Sequence, residues 1–280
     1  MNRAVKPVLI LHAGNPDDAL VARFGSYADQ LRRAARLHSG DVRVVAVYLG
    51  ETPRPPGHYR AALITGAPAM VMDRAPWSEH TAAWLRRAAN HGLPVFGVCC
   101  GRQLLAQAFG GRVDYNPAGR EVGTRMIEWL PAETDADPAT DALAAGLPAT
   151  FLAQTMHSLT VLEPPPGARV LARSALDGVH AMRVAPRVMS TQFHPEFSAD
   201  FVRAHLAHYG ERDARKGLDP AALLREVRDT PVAATFIQRF LRAHGAAGAA
   251  IARNGVPGGP APAILDADRL PGATAPPKPE

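Results

Sequence analysis

Two stretches of this chain carry the residue types that acyl transfer needs. The first is Gly97-Val98-Cys99-Cys100-Gly101, placed between the apolar run ending at Val98 and a segment of helical character from Leu104 to Phe109. A strand that turns at once into a helix, with a cysteine between glycines, has the geometry of a nucleophile elbow. The glycines let two backbone segments approach closely, and the turn holds Cys99 in a strained, exposed conformation. At a helix start the dipole and the free N–H groups favour a thiolate. The same residues also fit a tight turn carrying two inert, buried cysteines, and the motif alone does not choose between the two.

A cysteine nucleophile needs a base and a third group to orient that base. The second stretch offers both. The run from Val188 to Phe193 reads as a strand that stops at His194-Pro195-Glu196. Pro195 holds the residue before it extended, so Glu196 lies on the same side as His194, where its carboxylate can accept the imidazole N–H. Taken singly, His194 also reads as a locally bonded strand-end histidine and Glu196 as a carboxylate at a helix start.

These residues act together only if the fold brings their loops to one place. Residues 7–12, 42–49, 61–64 and 95–98 read as strands, and residues 27–37 and 78–90 as amphipathic helices between them. Buried strands alternating with helices indicate a parallel sheet covered on both faces, with functional groups at the carboxyl ends of its strands. Gly66 and Cys99 both follow such ends. The second half differs: residues 122–130, 151–154, 169–172, 179–184 and 188–193 read as short, mostly antiparallel strands divided by Pro- and Gly-containing turns. A loop containing Asp135, Asp137 and Pro138 separates the first two. Helices return at 199–208, 220–228 and 232–244. The expected domain spans residues 1–245, and the Ala/Gly/Pro-rich stretch 246–280 reads as a disordered tail. No internal repeat is visible.

Bulk properties narrow the function classes. At 280 residues, 47% hydrophobic and 20% charged, the chain has the composition of an ordinary globular protein with ample length for a core. The net charge of +5 comes from scattered arginines, with lysine only at positions 6, 216 and 278. No aromatic–basic motif accompanies them, so nucleic-acid binding is not expected. The two cysteines are neighbours in sequence and poorly placed for a disulfide, which points to a reducing cytoplasm. The apolar run 8–11 is too short for a signal peptide, and no stretch approaches membrane-spanning length.

Gly-Val-Cys-Cys-Gly-Arg-Gln-Leu-Leu-Ala (97–106) together with Gln-Phe-His-Pro-Glu-Phe (192–197) resembles the class I glutamine amidotransferases, in particular glutaminase domains of the GMP synthase type and their stand-alone relatives. Segments 63–68, 110–113 and 116–123 match in order, and the likeness covers roughly residues 6–243. The resemblance implies an α/β, flavodoxin-like three-layer sandwich with a mostly parallel central sheet and a small antiparallel extension. It implies a Cys99–His194–Glu196 triad and a thioester formed on glutamine or another γ-glutamyl compound. It further implies oxyanion donors on the backbone of Gly66, Ala67 and Cys100, and Gln103 as a substrate-holding residue. No cofactor or metal is expected.

Three positions depart from the family pattern. Cys100 stands where a bulky apolar or aromatic residue is common, and Arg102 where histidine is common. Leu159 occupies the place of an aspartate that often binds the substrate amino group. His157, nearby, reads either as a substrate-pocket residue or as a histidine packed between strands. No ATP-pyrophosphatase loop follows, so the expectation is a stand-alone protein, with a separate synthetase subunit to accept ammonia if it is a true amidotransferase. A γ-glutamyl peptidase and a non-catalytic binding protein on the same fold are the rivals.

Overall fold

The structure is a computed structural model that describes residues 5–130 and 138–246. In chain order it runs β1 (Val8–His12), α1 (Asp18–Phe24), α2 (Tyr27–Ala34), β2 (Val42–Ala46), β3 (Ala61–Ile64), α3 (Pro76–Asn90), β4 (Val95–Val98) and α4 (Cys100–Ala108). Then come β5 (Arg112–Tyr115), β6 (Glu121–Trp129), α5 (Pro138–Ala144), β7 (Thr150–His157), β8 (Leu159–Glu163), β9 (Arg169–Arg173), β10 (Ala181–Ala185) and β11 (Val188–Thr191). Helices α6 (Ala199–Ala214), α7 (Pro220–Glu226) and α8 (Phe236–Ala243) follow.

Period-two alternation explains the layers. In β1, Val8 and Ile10 enter one core with α2 and α8, while Leu9 and Leu11 enter a second core with α3 and α4. Each fully buried leucine or isoleucine contributes about 1.5–3 kcal/mol relative to an exposed one. The sheet between these cores has nine strands in the order β2-β1-β3-β4-β11-β10-β9-β6-β7. The pairs from β2 to β11 are parallel, and β10, β9, β6 and β7 extend the sheet antiparallel. A separate two-stranded ladder joins β5 to β8. This is the three-layer α/β arrangement expected from the sequence.

Several boundaries differ from the sequence reading. The second strand ends at Ala46, because the chain tightens into a single helical turn closed by Gly50 in the left-handed region. Helix α2 stops at Ala34, and Arg36 then takes φ 52°. The helix after Cys99 starts at Cys100, earlier than Leu104. Helix α1, with Leu20 as its one buried residue, has too small an apolar face to stand out in sequence. Helix α5 begins at Pro138, inside the expected loop, while residues 131–137, including Asp135 and Asp137, lie outside the described residues. Of the expected tail, Ala246 packs against the core and its carbonyl accepts from Arg60 Nε at 3.2 Å, while 247–280 lie outside the described residues.

The sheet order puts the three functional loops side by side. Strands β3, β4 and β11 are consecutive, and Ile64 pairs with Gly97 and Thr191 with Val98. The loops bearing Gly66, Cys99 and His194 therefore leave the same edge of the sheet. Two glycines permit the close seat of α4 on it. A Cβ on Gly97 would stand 2.7 Å from the Gly101 backbone, and one on Gly101 would stand 2.8 Å from Ile64 Cβ.

Candidate active site

Cys99 is the residue between β4 and α4, with φ 51° and ψ −106°. A non-glycine residue there costs on the order of 1–3 kcal/mol, and such strain persists only where the surroundings enforce it. Here the enforcement is visible: the Cys99 N–H donates to Thr191 O at 2.8 Å, and α4 is locked onto β3 by Gly101. Cys99 is 7% exposed and lines a cavity also bordered by Ala67, Gln103, Met156 and His194.

His194 is held from three sides. Its backbone N–H donates to Gln154 O at 2.8 Å, its ring stacks on Phe197 with centroids 4.0 Å apart, and its Nδ1 lies 2.8 Å from Glu196 Oε1. A carboxylate only accepts, so Nδ1 is the donor and Nε2 is left to exchange protons. That Nε2 is buried and has no hydrogen-bond partner among the described residues. Burial pulls the imidazole pKa down, but the Glu196 carboxylate and then the Cys99 sulfur outweigh it and raise it to about 10. A Cβ placed on Gly66 would meet His194 Cε1 at 3.1 Å and Cys99 Cβ at 3.6 Å, so the three loops converge within contact distance.

The backbone N–H groups of Gly66, Ala67 and Cys100 donate to no backbone acceptor among the described residues. Cys100 is the first residue of α4, where helical N–H groups have no internal partner. Its own thiol is fully buried, and burial pushes its pKa up.

Gln103 is buried and borders the cavity, with Nε2 at 3.4 Å from Leu159 O and 3.5 Å from Gln192 Oε1. His157 also borders it, but its ring is engaged at both nitrogens. Nδ1 lies 2.9 Å from Leu159 O and Nε2 lies 2.8 Å from Glu121 Oε2. His157 thus lines the cavity while both its ring nitrogens are engaged within the protein. Glu121 also accepts from His180 Nε2 at 2.7 Å and from Ser174 Oγ at 2.8 Å. Burial would raise the Glu121 pKa, but the two imidazole hydrogen bonds hold it far below the usual carboxylate range. Glu121, His157 and His180 gather ligand-type atoms within 4.8 Å of one another. However, ligands about 2.1 Å from a tetrahedral metal lie roughly 3.4 Å apart, so carboxylate–imidazole spacings this short are those of hydrogen bonds.

Arg102 does not reach the cavity. It is fully buried beneath the elbow, where Nη1 donates to Gln192 Oε1 at 2.5 Å and Nη2 donates to Val179 O, with Asp177 Oδ1 at 4.0 Å. Gln192 was part of the matched motif but had no role assigned to it. Its Nε2 lies 3.4 Å from Cys99 Sγ. The signal for it was its position two residues before His194, which puts both on one side of an extended segment.

A model of the family "Glutamine amidotransferase class-I" matches residues 20–207. The GMP synthase (glutamine-hydrolyzing) of Thermomicrobium roseum is 36% identical over 138 residues, covering 49% of this chain and 23% of that protein. Its counterpart in Aeropyrum pernix is 34% identical over 183 residues, covering 63% of this chain and 32% of that protein. The chain thus spans at most about a third of these relatives' length. A solved glutamine amidotransferase from Thermotoga maritima superposes with a TM-score of 0.67 at 18% identity, over 86% of this chain and 99% of that one, and so shares its fold. With the family model covering two thirds of its residues, the chain belongs to the class I glutamine amidotransferases.

Proposed function

We propose that this protein hydrolyses a γ-glutamyl amide, with glutamine the leading substrate, through a thioester on Cys99. The observation that carries this reading is the geometry at the elbow. A left-handed cysteine lies beside an imidazole whose Nδ1 is held by Glu196 and whose Nε2 is unspent. Cys99 attacks the side-chain amide carbon as the thiolate. The negative oxygen formed is held by the N–H groups of Cys100 and of the Gly66–Ala67 loop, each donor worth roughly 3 kcal/mol. His194 takes the Cys99 proton at Nε2 and passes it to the departing ammonia. Neutral His194 then takes a proton from water as it attacks the thioester, and glutamate leaves. Glu196 keeps the imidazole in the orientation both steps need.

The names of the relatives, which denote glutamine-hydrolysing synthases three or more times longer than the match, support an ammonia-accepting synthetase as partner. No helix among the described residues is long and apolar enough to cross a membrane. We place the activity in the cytoplasm on the strength of the free cysteines.

A second reading, hydrolysis of a γ-glutamyl conjugate without a partner, is favoured by the cavity wall. Leu159 lies there, the charged residues lining it are Arg120, Arg212 and Lys216, and no carboxylate joins them. Such a wall suits an anionic substrate better than one anchored by its ammonium group. Ammonia and glutamate release from glutamine, measured for the intact protein and Cys99→Ala, tests the proposal. Release that survives the substitution rejects it. Turnover of γ-glutamyl peptides but not glutamine selects the second reading, and turnover of neither leaves a binding protein.

A further inference from the structure

The buried polar chain behind the nucleophile has no part in the proton transfers above. It begins at Arg102, whose side chain is 0% exposed, in a place where an unpaired guanidinium would be very costly. Its partners are the carbonyl oxygen of Val179, the Oε1 of Gln192 at 2.5 Å and, at 4.0 Å, Asp177. Gln192 is likewise 0% exposed. A buried amide can in principle present either its oxygen or its nitrogen to a neighbour. Arg102 removes that freedom, since a guanidinium has donors and no acceptor. Gln192 must turn Oε1 toward Arg102, and Gln103 Nε2, at 3.5 Å, favours the same orientation. The amide nitrogen then has one direction left, toward Cys99 Sγ at 3.4 Å.

From this geometry we infer that Arg102 and Gln192 are positioning residues for the nucleophile: the arginine fixes the amide so that its N–H donates to the Cys99 sulfur and favours the thiolate over the thiol. The inference rests on the reading of Cys99 as the nucleophile. A donor to sulfur stabilises the charged form, and the guanidinium behind it adds an attractive charge. A neutral histidine in place of Arg102 could orient the same amide, but it would bring no fixed charge.

Other groups also act on the sulfur and set the background for any titration. His194, with Glu196 behind it, faces it from the segment after β11. Tyr27 acts from α2, Cys100 from α4 and Arg120 from the segment leading into β6. The test therefore varies only the buried relay. In the full chain, the rate at which iodoacetamide alkylates Cys99 is followed by peptide mass spectrometry across pH. Gln192→Glu keeps the shape and the contact with Arg102 but exchanges the donor for a negative charge. Arg102→Met frees the amide, and Arg102→Lys again offers only donors.

The expected result is a midpoint at least one pH unit higher in Gln192→Glu and Arg102→Met, with alkylation about tenfold slower at pH values below both midpoints. Arg102→Lys should recover part of that shift. Profiles superimposable on the wild type in folded variants overturn the inference. Should the variants fail to fold, the wild-type protein still decides. The side-chain amide resonances of Gln192 should shift with the same midpoint as Cys99 alkylation, and resonances that stay fixed across that midpoint reject the relay. Alkylation reports on the sulfur whether or not glutamine is turned over. A relay confirmed without hydrolysis would sink the proposed function alone, and hydrolysis with an unmoved profile would sink the relay alone.

Discussion

Two buried histidine–carboxylate pairs border the same cavity and look alike by distance. His194 lies 2.8 Å from Glu196, and His157 lies 2.8 Å from Glu121. They differ in what remains. His194 keeps Nε2 without a partner beside Cys99, whereas His157 spends its second nitrogen on Leu159 O, and His180 shares its carboxylate. A carboxylate beside an imidazole is therefore no mark of a catalytic base. The mark is the ring nitrogen left over after the carboxylate is satisfied, and where that nitrogen sits. The cluster around Glu121 ties β6 and β7 to the segment entering β10, and its one unpartnered ring nitrogen, His180 Nδ1, belongs to a residue that does not border the cavity; the His194 pair does border it and can move a proton.

The sharpest way to break this contrast is to remove each imidazole or carboxylate in turn. His194→Ala should lower the hydrolysis rate by about 10²–10⁴-fold, the usual worth of a positioned acid–base group, when assayed where the variant is folded. Glu121→Gln should act the other way. It takes acceptor capacity away from two buried imidazole N–H groups and the Ser174 hydroxyl and should cost about 1–3 kcal/mol of stability in denaturant titration, the usual penalty for leaving a buried polar group unsatisfied. Hydrolysis, assayed where the variant is still folded, should be nearly unchanged.

Glu196→Gln is expected to be milder than loss of the base. It misorients His194 and should lower kcat by up to about 100-fold, with KM for glutamine little affected. The smallest effects are those of pH on stability. His194 has its pKa raised, so its contribution is complete below about 6.5 and is lost as pH rises toward about 10. Glu121 has its pKa lowered, so its contribution is present above the ordinary carboxylate value and is lost as the solution is made more acid. His194→Ala should thus flatten the fall of the unfolding midpoint between about pH 6.5 and 10, and Glu121→Gln the fall in acid, each variant differing least from the wild type where that contribution is already lost.

The contrast also explains what could be read from sequence. The elbow was legible because strand, glycines, cysteine and helix are contiguous and local geometry dictates the turn. His194 and Glu196 were legible because a strand end and one proline fix their relative direction. His157 was ambiguous because its state depends on Glu121 and His180, which reach it through strand pairing from distant parts of the chain. Arg102 was ambiguous for the same reason. Its partners, Val179 and Gln192, lie on the antiparallel extension and the last parallel strand's end. The pair β5–β8 and helix α1 went unread because short elements with mixed burial carry little periodicity.

The central claim is that Cys99, served by His194, forms an acyl-enzyme. Rapid acid quenching of the protein during turnover of glutamine, followed by peptide mass spectrometry, tests it directly. The account predicts a glutamyl thioester on the peptide carrying Cys99, at Cys99 itself, that hydroxylamine releases and that accumulates when deacylation is slowed. Glutamate production with no such adduct, or with the adduct on Cys100, would contradict it.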